Sequence, residues 1–183
     1  MHKRRGLTAA ALFVGSITIL ALGSYATADS GKKEVKADTM VGYLESPSIS
    51  TVATGSFEAT IDDTEGQIDY VLSYSGLEGD VRQAHIHFGQ RGVSAGISAW
   101  LCETAANPSP SASTPTCPSS GSVSGTITSV EVVGPSGQGI APGEFGELVA
   151  ALRAGRAYAN VHSAKFPPGE IRGQINDDNQ RDD

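Results

Sequence analysis

The fold class follows from the stretch QIDYVLSYSGL at residues 67–77, in which apolar and polar residues alternate. Ile68, Tyr70, Leu72 and Tyr74 share one parity, and mostly polar residues occupy the other. Successive side chains of a β-strand point to opposite faces, so this alternation predicts a strand with one buried face. The turn signal DTEG directly precedes it and predicts a hairpin with the run before.

Further runs rich in β-branched and aromatic residues are separated by Gly, Pro and Asp. They predict strands at residues 52–61, 81–88, 97–102, 123–133, 157–162 and 170–175. One segment departs from this pattern: apolar residues follow helical spacing from Phe145 to Leu152, and Gly155 supplies a stop. The chain is therefore expected to be all-β, a sandwich or barrel, with one short helix as a lid on one end.

The first 28 residues have the features of an export signal. A basic start, HKRR, precedes a mostly apolar run, and the A-x-A site at residues 26–28 predicts cleavage before Asp29. An uncleaved anchor is the alternative, because the apolar run is long for a signal. We further expect a flexible leader at residues 29–39, one domain at residues 40–175 and an acidic tail at residues 176–183.

The net charge of the chain is −7, and removal of the basic start makes the mature chain more negative still. Binding to nucleic acid requires neutralised phosphates, so this charge argues against a nucleic-acid partner and against anionic membrane surfaces. We expect a secreted or cell-envelope protein that is not inserted in a membrane after signal cleavage. Its partner, an extracellular protein or a small ligand, is unknown.

Cys102 and Cys117 are the two cysteines of the chain. In an exported protein the default expectation is a disulfide, here closing a Pro/Ser/Thr-rich insertion at residues 103–120. A metal-binding thiolate pair is the alternative, although the spacing is far from C-x-x-C.

The chemistry-bearing residues lie in two segments, AHIHFG at residues 84–89 and AYANVH at residues 157–162. Alternation places His85 and His87 on one face of their strand and His162 on the polar face of another. Parity also places Glu170 and Arg172 on the outer, solvent-side face of the sheet. If these strands are neighbours, three imidazoles converge with a carboxylate and a guanidinium close by.

Two interpretations of this face remain open. Three imidazoles, two of them in an H-x-H pair, suit copper or zinc. Alternatively, the histidines are hydrogen-bonded residues of a polar sheet face, with Glu170 and Arg172 as a surface pair of little energetic weight.

The segments AHIH at residues 84–87, YANVH at residues 158–162 and GEIRGQI at residues 169–175 resemble the chordin-type (CHRD) domain family, as does VATGSF at residues 52–57. The resemblance spans about residues 40–175. It implies an extracellular, immunoglobulin-like or barrel-like β domain and no established reaction. The export signal and composition suggest a bacterial exported form.

A fainter likeness is to Cu,Zn superoxide dismutase, through H-x-H-F-G, the later histidine and a closing strand with Gly and Arg. By this likeness His85, His87 and His162 hold copper, while Arg172 guides an anion and Glu170 lies nearby. The chain departs from that family because it has no further histidine for a bridging ligand and no zinc-binding loop. We therefore expect a Greek-key β-sandwich or barrel, immunoglobulin-like or superoxide-dismutase-like.

The function favoured by the sequence is a non-enzymatic extracellular binding or surface module of unknown partner. The alternative is a copper-binding, superoxide-dismutase-like redox protein that uses the three histidines. No nucleophile and base are spaced for catalysis, so we assign no catalytic residue.

Overall fold

A computed structural model describes residues 32–176 of the chain. These residues form eight strands and one α-helix, together with three short 3-10 turns. In chain order the elements are β1 (Lys32–Val41), β2 (Thr54–Asp62), β3 (Gln67–Ser75), β4 (Val81–Phe88), β5 (Ile97–Cys102), β6 (Gly121–Ile127), α1 (Phe145–Arg153), β7 (Ala157–Ser163) and β8 (Ile171–Ile175).

All eight strands belong to one antiparallel sheet with the order β5-β4-β7-β8-β1-β2-β3-β6. Beyond the end of β6, Val132 pairs with Ala99 of β5, so the two ends of the sheet approach each other. The Tyr70 hydroxyl on β3 also donates to the Leu101 carbonyl on β5 at 2.6 Å. The sheet is therefore a nearly closed barrel, which confirms the all-β prediction with one short helix.

The barrel interior is filled from the alternating positions that the sequence predicts. Along β3 the four residues from Ile68 to Tyr74 that share one parity are all buried, and Phe57 of β2 is fully buried beside them. The rings of Phe57 and Tyr70 stack with their centroids 6.2 Å apart. Each such large apolar side chain stabilises the fold by about 1.5–3 kcal/mol on burial.

Helix α1 buries its apolar stripe against the same core. Leu148 and Leu152 are fully buried, and the opposite face, which includes Glu147, is exposed. After the helix the chain turns at Gly155, whose φ of 62° is unfavourable for other residues. The helix predicted from spacing is therefore present.

The flexible leader predicted at residues 29–39 was wrong over its described part, because strand β1 begins at Lys32 and pairs with β2. Val35, Ala37 and Met40 are buried in the core. Flanking charged residues and a bulge between Ala37 and Met40 hide this alternation in the sequence. The expected signal at residues 1–28 and the tail beyond residue 176 lie outside the described residues. In the described part of the chain, no helix is both long and apolar enough to cross a membrane.

Cys102 and Cys117 form a disulfide, which confirms the prediction and excludes a thiolate metal pair. The insertion that it closes is held to the body of the domain. Cys117 donates its N–H to the Glu103 carbonyl at 2.8 Å, and the Thr104 hydroxyl donates to the Arg82 carbonyl at 2.8 Å. The insertion therefore lies against the start of β4.

Candidate metal centre

Strands β4 and β7 bring the three histidines together. The two strands are neighbours, with His85 opposite Asn160 and Gln83 opposite His162. His162 is thus diagonal to His85 on the same face, at a separation that long side chains bridge. One nitrogen from each of His85, His87 and His162 can be chosen so that all three lie within 4.8 Å of one another.

The solvent-side position predicted for this face was wrong. His85 is fully buried, and His87 and His162 are each only 6% exposed. The parity was right, because Ala84 and Ile86 do point into the apolar core. Three loops, at residues 42–53, 89–96 and 164–170, contact polar residues on the outer face of β4, β7 and β8 and make that face a second, polar buried layer.

The loops fix the tautomers of two of the rings. His87 Nδ1 lies 2.9 Å from the Ala95 carbonyl, and His162 Nδ1 lies 2.9 Å from the Pro167 carbonyl. A carbonyl only accepts, so each Nδ1 carries the proton and each Nε2 keeps its lone pair. Metal-binding histidines are oriented in this way, by a second hydrogen bond to a backbone carbonyl.

His85 is the histidine whose ring lies closest to both of the others. Its Nδ1 lies 3.1 Å from His162 Nε2 and, because that atom is a lone-pair acceptor, His85 Nδ1 donates here. His85 Nε2 and His87 Nε2 are buried and have no hydrogen-bond partner among the described residues. The His85 ring meets the Trp100 ring edge-on, with centroids 4.3 Å apart.

The nitrogen separations are close to those of a metal site. Three nitrogens at the 4.8 Å limit lie about 2.8 Å from their common centre, whereas zinc–nitrogen bonds are about 2.0–2.1 Å. Movement of the rings toward one another by under about 1 Å would therefore bring all three nitrogens to bonding distance.

Burial keeps the three imidazoles neutral. It lowers the pKa of His85 to about 2 and that of His87 to about 4, and it also lowers the pKa of His162. Repulsion between the imidazolium forms adds to this effect at His85. Neutral rings have the lone pairs that metal binding requires.

Arg172 braces the loops over the cluster. Its Nε donates to the Leu44 carbonyl at 2.6 Å and its Nη1 to the Val93 carbonyl at 3.0 Å. The guanidinium carbon lies 4.3 Å from the ring centre of Tyr158, which in turn stacks on His87 at 4.8 Å. Arg172 is only 3% exposed, so it lies beside the cluster but does not present its charge to solvent as an anion guide would.

Glu170 is fully buried and connects other loops. Its Oε1 accepts hydrogen bonds from the Thr51 hydroxyl at 2.7 Å and from the Glu78 N–H at 2.8 Å. The surface pair considered between Glu170 and Arg172 is therefore not what holds this carboxylate. Its role is to fix the loops around β8.

A family model for the CHRD domain matches residues 30–175. The chain belongs to the CHRD-domain family. The match begins ten residues before the predicted domain, which agrees with the inclusion of β1 in the sheet. The comparisons with curated proteins and with solved structures found no match. In this CHRD domain, the segments with the strongest resemblance lie in β4, β7 and β8, and the first two of these strands hold the three histidines.

Sequence reasoning missed one acidic residue of the CHRD domain at this site. Glu45, in the loop after β1, accepts a hydrogen bond from Asn160 Nδ2 at 2.5 Å, and the same amide donates to the Ile171 carbonyl. Burial raises the pKa of Glu45 to about 7, against the opposing effect of Arg172. Glu45 lies outside any strand, so alternation gives no signal for it.

Proposed function

We propose that this CHRD-domain protein binds one copper ion through His85 Nδ1, His87 Nε2 and His162 Nε2. The observation that carries the proposal is a buried imidazole nitrogen without a partner, His87 Nε2, in a cluster where His85 Nδ1 and His162 Nε2 face each other at 3.1 Å. An unsatisfied buried polar atom costs about 1–3 kcal/mol, and a bound ion removes that cost. A purely structural role for the histidines would leave His87 Nε2 unsatisfied.

Copper fits this donor set better than zinc does. Imidazole ligands suit both ions, but copper is the divalent ion of highest affinity in the first-row series. Three-histidine zinc sites keep an open fourth position for water. Here His87 Nε2 is itself buried, so a water in the fourth position would have little access to solvent.

Export brings the protein to the compartment where such a site would act. The disulfide is of the kind that persists in oxidising compartments, and the predicted signal at residues 1–28 agrees with secretion or cell-envelope residence. We therefore propose a secreted copper-binding protein. Superoxide-dismutase-like turnover needs substrate access, which the covering loops oppose, so binding rather than catalysis is proposed.

The binding-module hypothesis stays a prediction alongside this one. A metal ion under the loops at residues 42–53, 89–96 and 164–170 would rigidify them, and exposed loops are common binding surfaces. Tyr43, which is 71% exposed at the start of the first of these loops, is the largest apolar side chain that they display to solvent.

Metal analysis of the purified full chain tests the copper proposal. After loading and removal of excess ion, we expect one copper per chain, and loss of that copper in the triple variant His85→Gln, His87→Gln, His162→Gln. Because the triple variant could fail to fold, His87→Gln alone is measured beside it, with circular dichroism as a check. Copper that is absent from the parent, or retained by folded variants, would overturn the proposal.

A further inference from the structure

The loop at residues 89–96, which joins β4 to β5, differs in composition from the other two loops over the histidines. Its sequence, GQRGVSAG, has three glycines and no proline, whereas each of the other two has one glycine and at least one proline. Proline restricts the backbone, and glycine allows it the widest range of conformations. Residues 90–94 are also exposed. This loop is therefore the one of the three that can move most easily away from the cluster.

The two ends of this loop are tied to each other. Gln138 Nε2 donates to the Phe88 carbonyl at 2.9 Å, and the Gly96 N–H donates to Gln138 Oε1 at 2.8 Å. The Phe88 N–H also donates to the Gly96 carbonyl at 3.1 Å. Compact surface loops with ends held close together form a structural unit of their own. The middle of the loop can therefore move while strands β4 and β5 stay in place.

The inner side of the loop contacts the cluster through Ala95. The Ala95 carbonyl accepts from His87 Nδ1 at 2.9 Å, and its N–H donates to the Tyr158 hydroxyl at 3.1 Å. The rings of Tyr158 and His87 are stacked, with centroids 4.8 Å apart and planes 5° apart. The peptide groups of Ala95 and the two rings thus form a closed set of three contacts. Tyr158 fixes both the face of the His87 ring and the position of the carbonyl that His87 bonds.

Arg172 adds a second inner contact. Its Nη1 donates to the Val93 carbonyl at 3.0 Å, and its guanidinium lies over the Tyr158 ring at 4.3 Å. On the outer side, the hydrogen bonds to the neighbouring loop are made by the exposed hydroxyls of Ser46 and Ser94. Exposed groups exchange such bonds for bonds to water with little net change in free energy. The buried contacts at Tyr158 and Arg172 therefore hold the loop closed.

An ion that binds the histidines has to pass a covering segment. The three rings are at most 6% exposed, and His87 Nε2 is buried. Ala95 contacts the His87 ring directly, so displacement of the loop at residues 89–96 would uncover this ligand first.

We propose that residues 89–96 form a gate through which the ion enters and leaves the histidine centre, and that Tyr158 is the positioning residue that holds the gate closed. This inference rests on the proposed metal-binding function and specifies how the site exchanges its ion. It does not depend on which ion binds. Opening of the gate also exposes His87 in the metal-free protein, where it can be measured without an ion.

Modification of histidine by diethyl pyrocarbonate, mapped by mass spectrometry on the metal-free full chain, tests the role of Tyr158. Tyr158→Phe keeps the stacked ring and removes the oxygen that accepts from Ala95. Loss of one hydrogen bond should raise the rate of His87 modification about fivefold. The matched control is Tyr74→Phe, because Tyr74 is equally buried and its hydroxyl donates to the Pro118 carbonyl, away from the histidines. Equal His87 rates in the two variants would remove Tyr158 from the proposal.

Two glycine variants test the gate itself. Gly92 in the loop and Gly66 in the β2–β3 turn have φ values of 76° and 67°, and a Cβ added at either meets open space. Alanine therefore strains both turns to a similar extent. Gly92→Ala should speed release of copper from the loaded full chain to an excess of chelator about fivefold, whereas Gly66→Ala should leave the rate unchanged.

The outcomes separate the gate from the proposed function. Equal release rates in the two glycine variants would overturn the gate and leave copper binding in place. A parent chain that binds no copper would overturn the proposed function. In that case the modification rate of His87 in metal-free Gly92→Ala, compared with Gly66→Ala, still decides whether residues 89–96 open over the histidines.

Discussion

His85 differs from the other two histidines in the contacts of its nitrogens. His87 and His162 each donate from Nδ1 to a backbone carbonyl, whereas His85 Nδ1 donates to His162 Nε2. If copper binds both of these facing nitrogens, the His85 proton moves to Nε2, which has no partner in the described chain. Binding therefore requires a change of tautomer at one residue and small rotations at the others.

The single tryptophan of the chain should report copper binding. Trp100 meets the His85 ring edge-on at 4.3 Å, so an ion bound to His85 lies next to the indole. Addition of copper should change the Trp100 emission in proportion to occupancy, saturating at one equivalent. The triple His→Gln variant should show no saturable change. A change of equal size in that variant would place the copper elsewhere.

Arg172 should matter for stability through its two loop contacts. Substitution by Lys removes the planar fork that reaches the Leu44 and Val93 carbonyls together. We expect Arg172→Lys to lower the free energy of unfolding by about 2–4 kcal/mol, since hydrogen bonds to charged groups contribute about 1.5–3 kcal/mol each. Urea unfolding measures this. Arg156→Lys, at an exposed position, should change stability by less than about 0.5 kcal/mol. Equal stabilities for the two variants would contradict the bracing role.

At the scale of elements, most strands could be predicted because their alternation is visible. The stretch predicted at residues 67–77 contains β3, which ends at Ser75 and has its even-numbered apolar residues in the core, and the spacing from Phe145 to Leu152 becomes α1. Strand β1 was missed because charged residues at its start resemble a solvated leader. Alternation records which face a side chain takes but not what later covers that face.

The histidine cluster shows both what alternation can predict and what it cannot. The shared face of His85 and His87 follows from their spacing, but the adjacency of β4 and β7 does not, because 68 residues separate the two strands in sequence. The burial of the cluster depends on loops with no periodic pattern. Glu45 lies in one of these loops and contacts Asn160 at the site.

The close approach of β8 to β1 gives a test at the element scale. A Cβ added at Gly173 would lie 2.6 Å from the Thr39 carbonyl oxygen and 2.9 Å from Met40 Cγ. Gly173→Ala should therefore destabilise the domain by about 1–3 kcal/mol, as overpacking does. Gly137→Ala, where a Cβ meets open space, is the control and should have little effect. Thermal unfolding that does not distinguish the two variants would show that this strand contact is looser than described.

At the scale of the whole molecule, the covering loops make the histidines a source of acid sensitivity. An unfolded chain protonates its histidines below about pH 6.5, whereas burial in the folded protein lowers the pKa of His85 to about 2 and of His87 to about 4. The unfolded state thus binds more protons in this range. Stability that is fully present above about pH 6.5 is lost as the pH falls.

As the pH is lowered, the free energy of unfolding of the metal-free protein should accordingly fall by about 1.4 kcal/mol per pH unit for each histidine that stays neutral. This applies between about pH 6.5 and the folded pKa of that histidine. The pKa of Glu45 is raised to about 7, so between its unfolded pKa and pH 7 this residue stabilises the folded protein as the pH is lowered. Glu45 is a single group, whereas three histidines have the opposite effect. Urea midpoints at several pH values measure the slope. The triple His→Gln variant keeps Glu45 and should show a flatter profile. A parent and variant with parallel profiles would contradict the burial of neutral imidazoles.

X-ray absorption at the copper edge, on the loaded full chain, tests the central claim most directly. The account predicts a first shell of three histidine nitrogens at about 2.0 Å and loss of this signal in the triple His→Gln variant. A shell dominated by oxygen or sulfur, or the same shell in the variant, would show that His85, His87 and His162 are not the copper site.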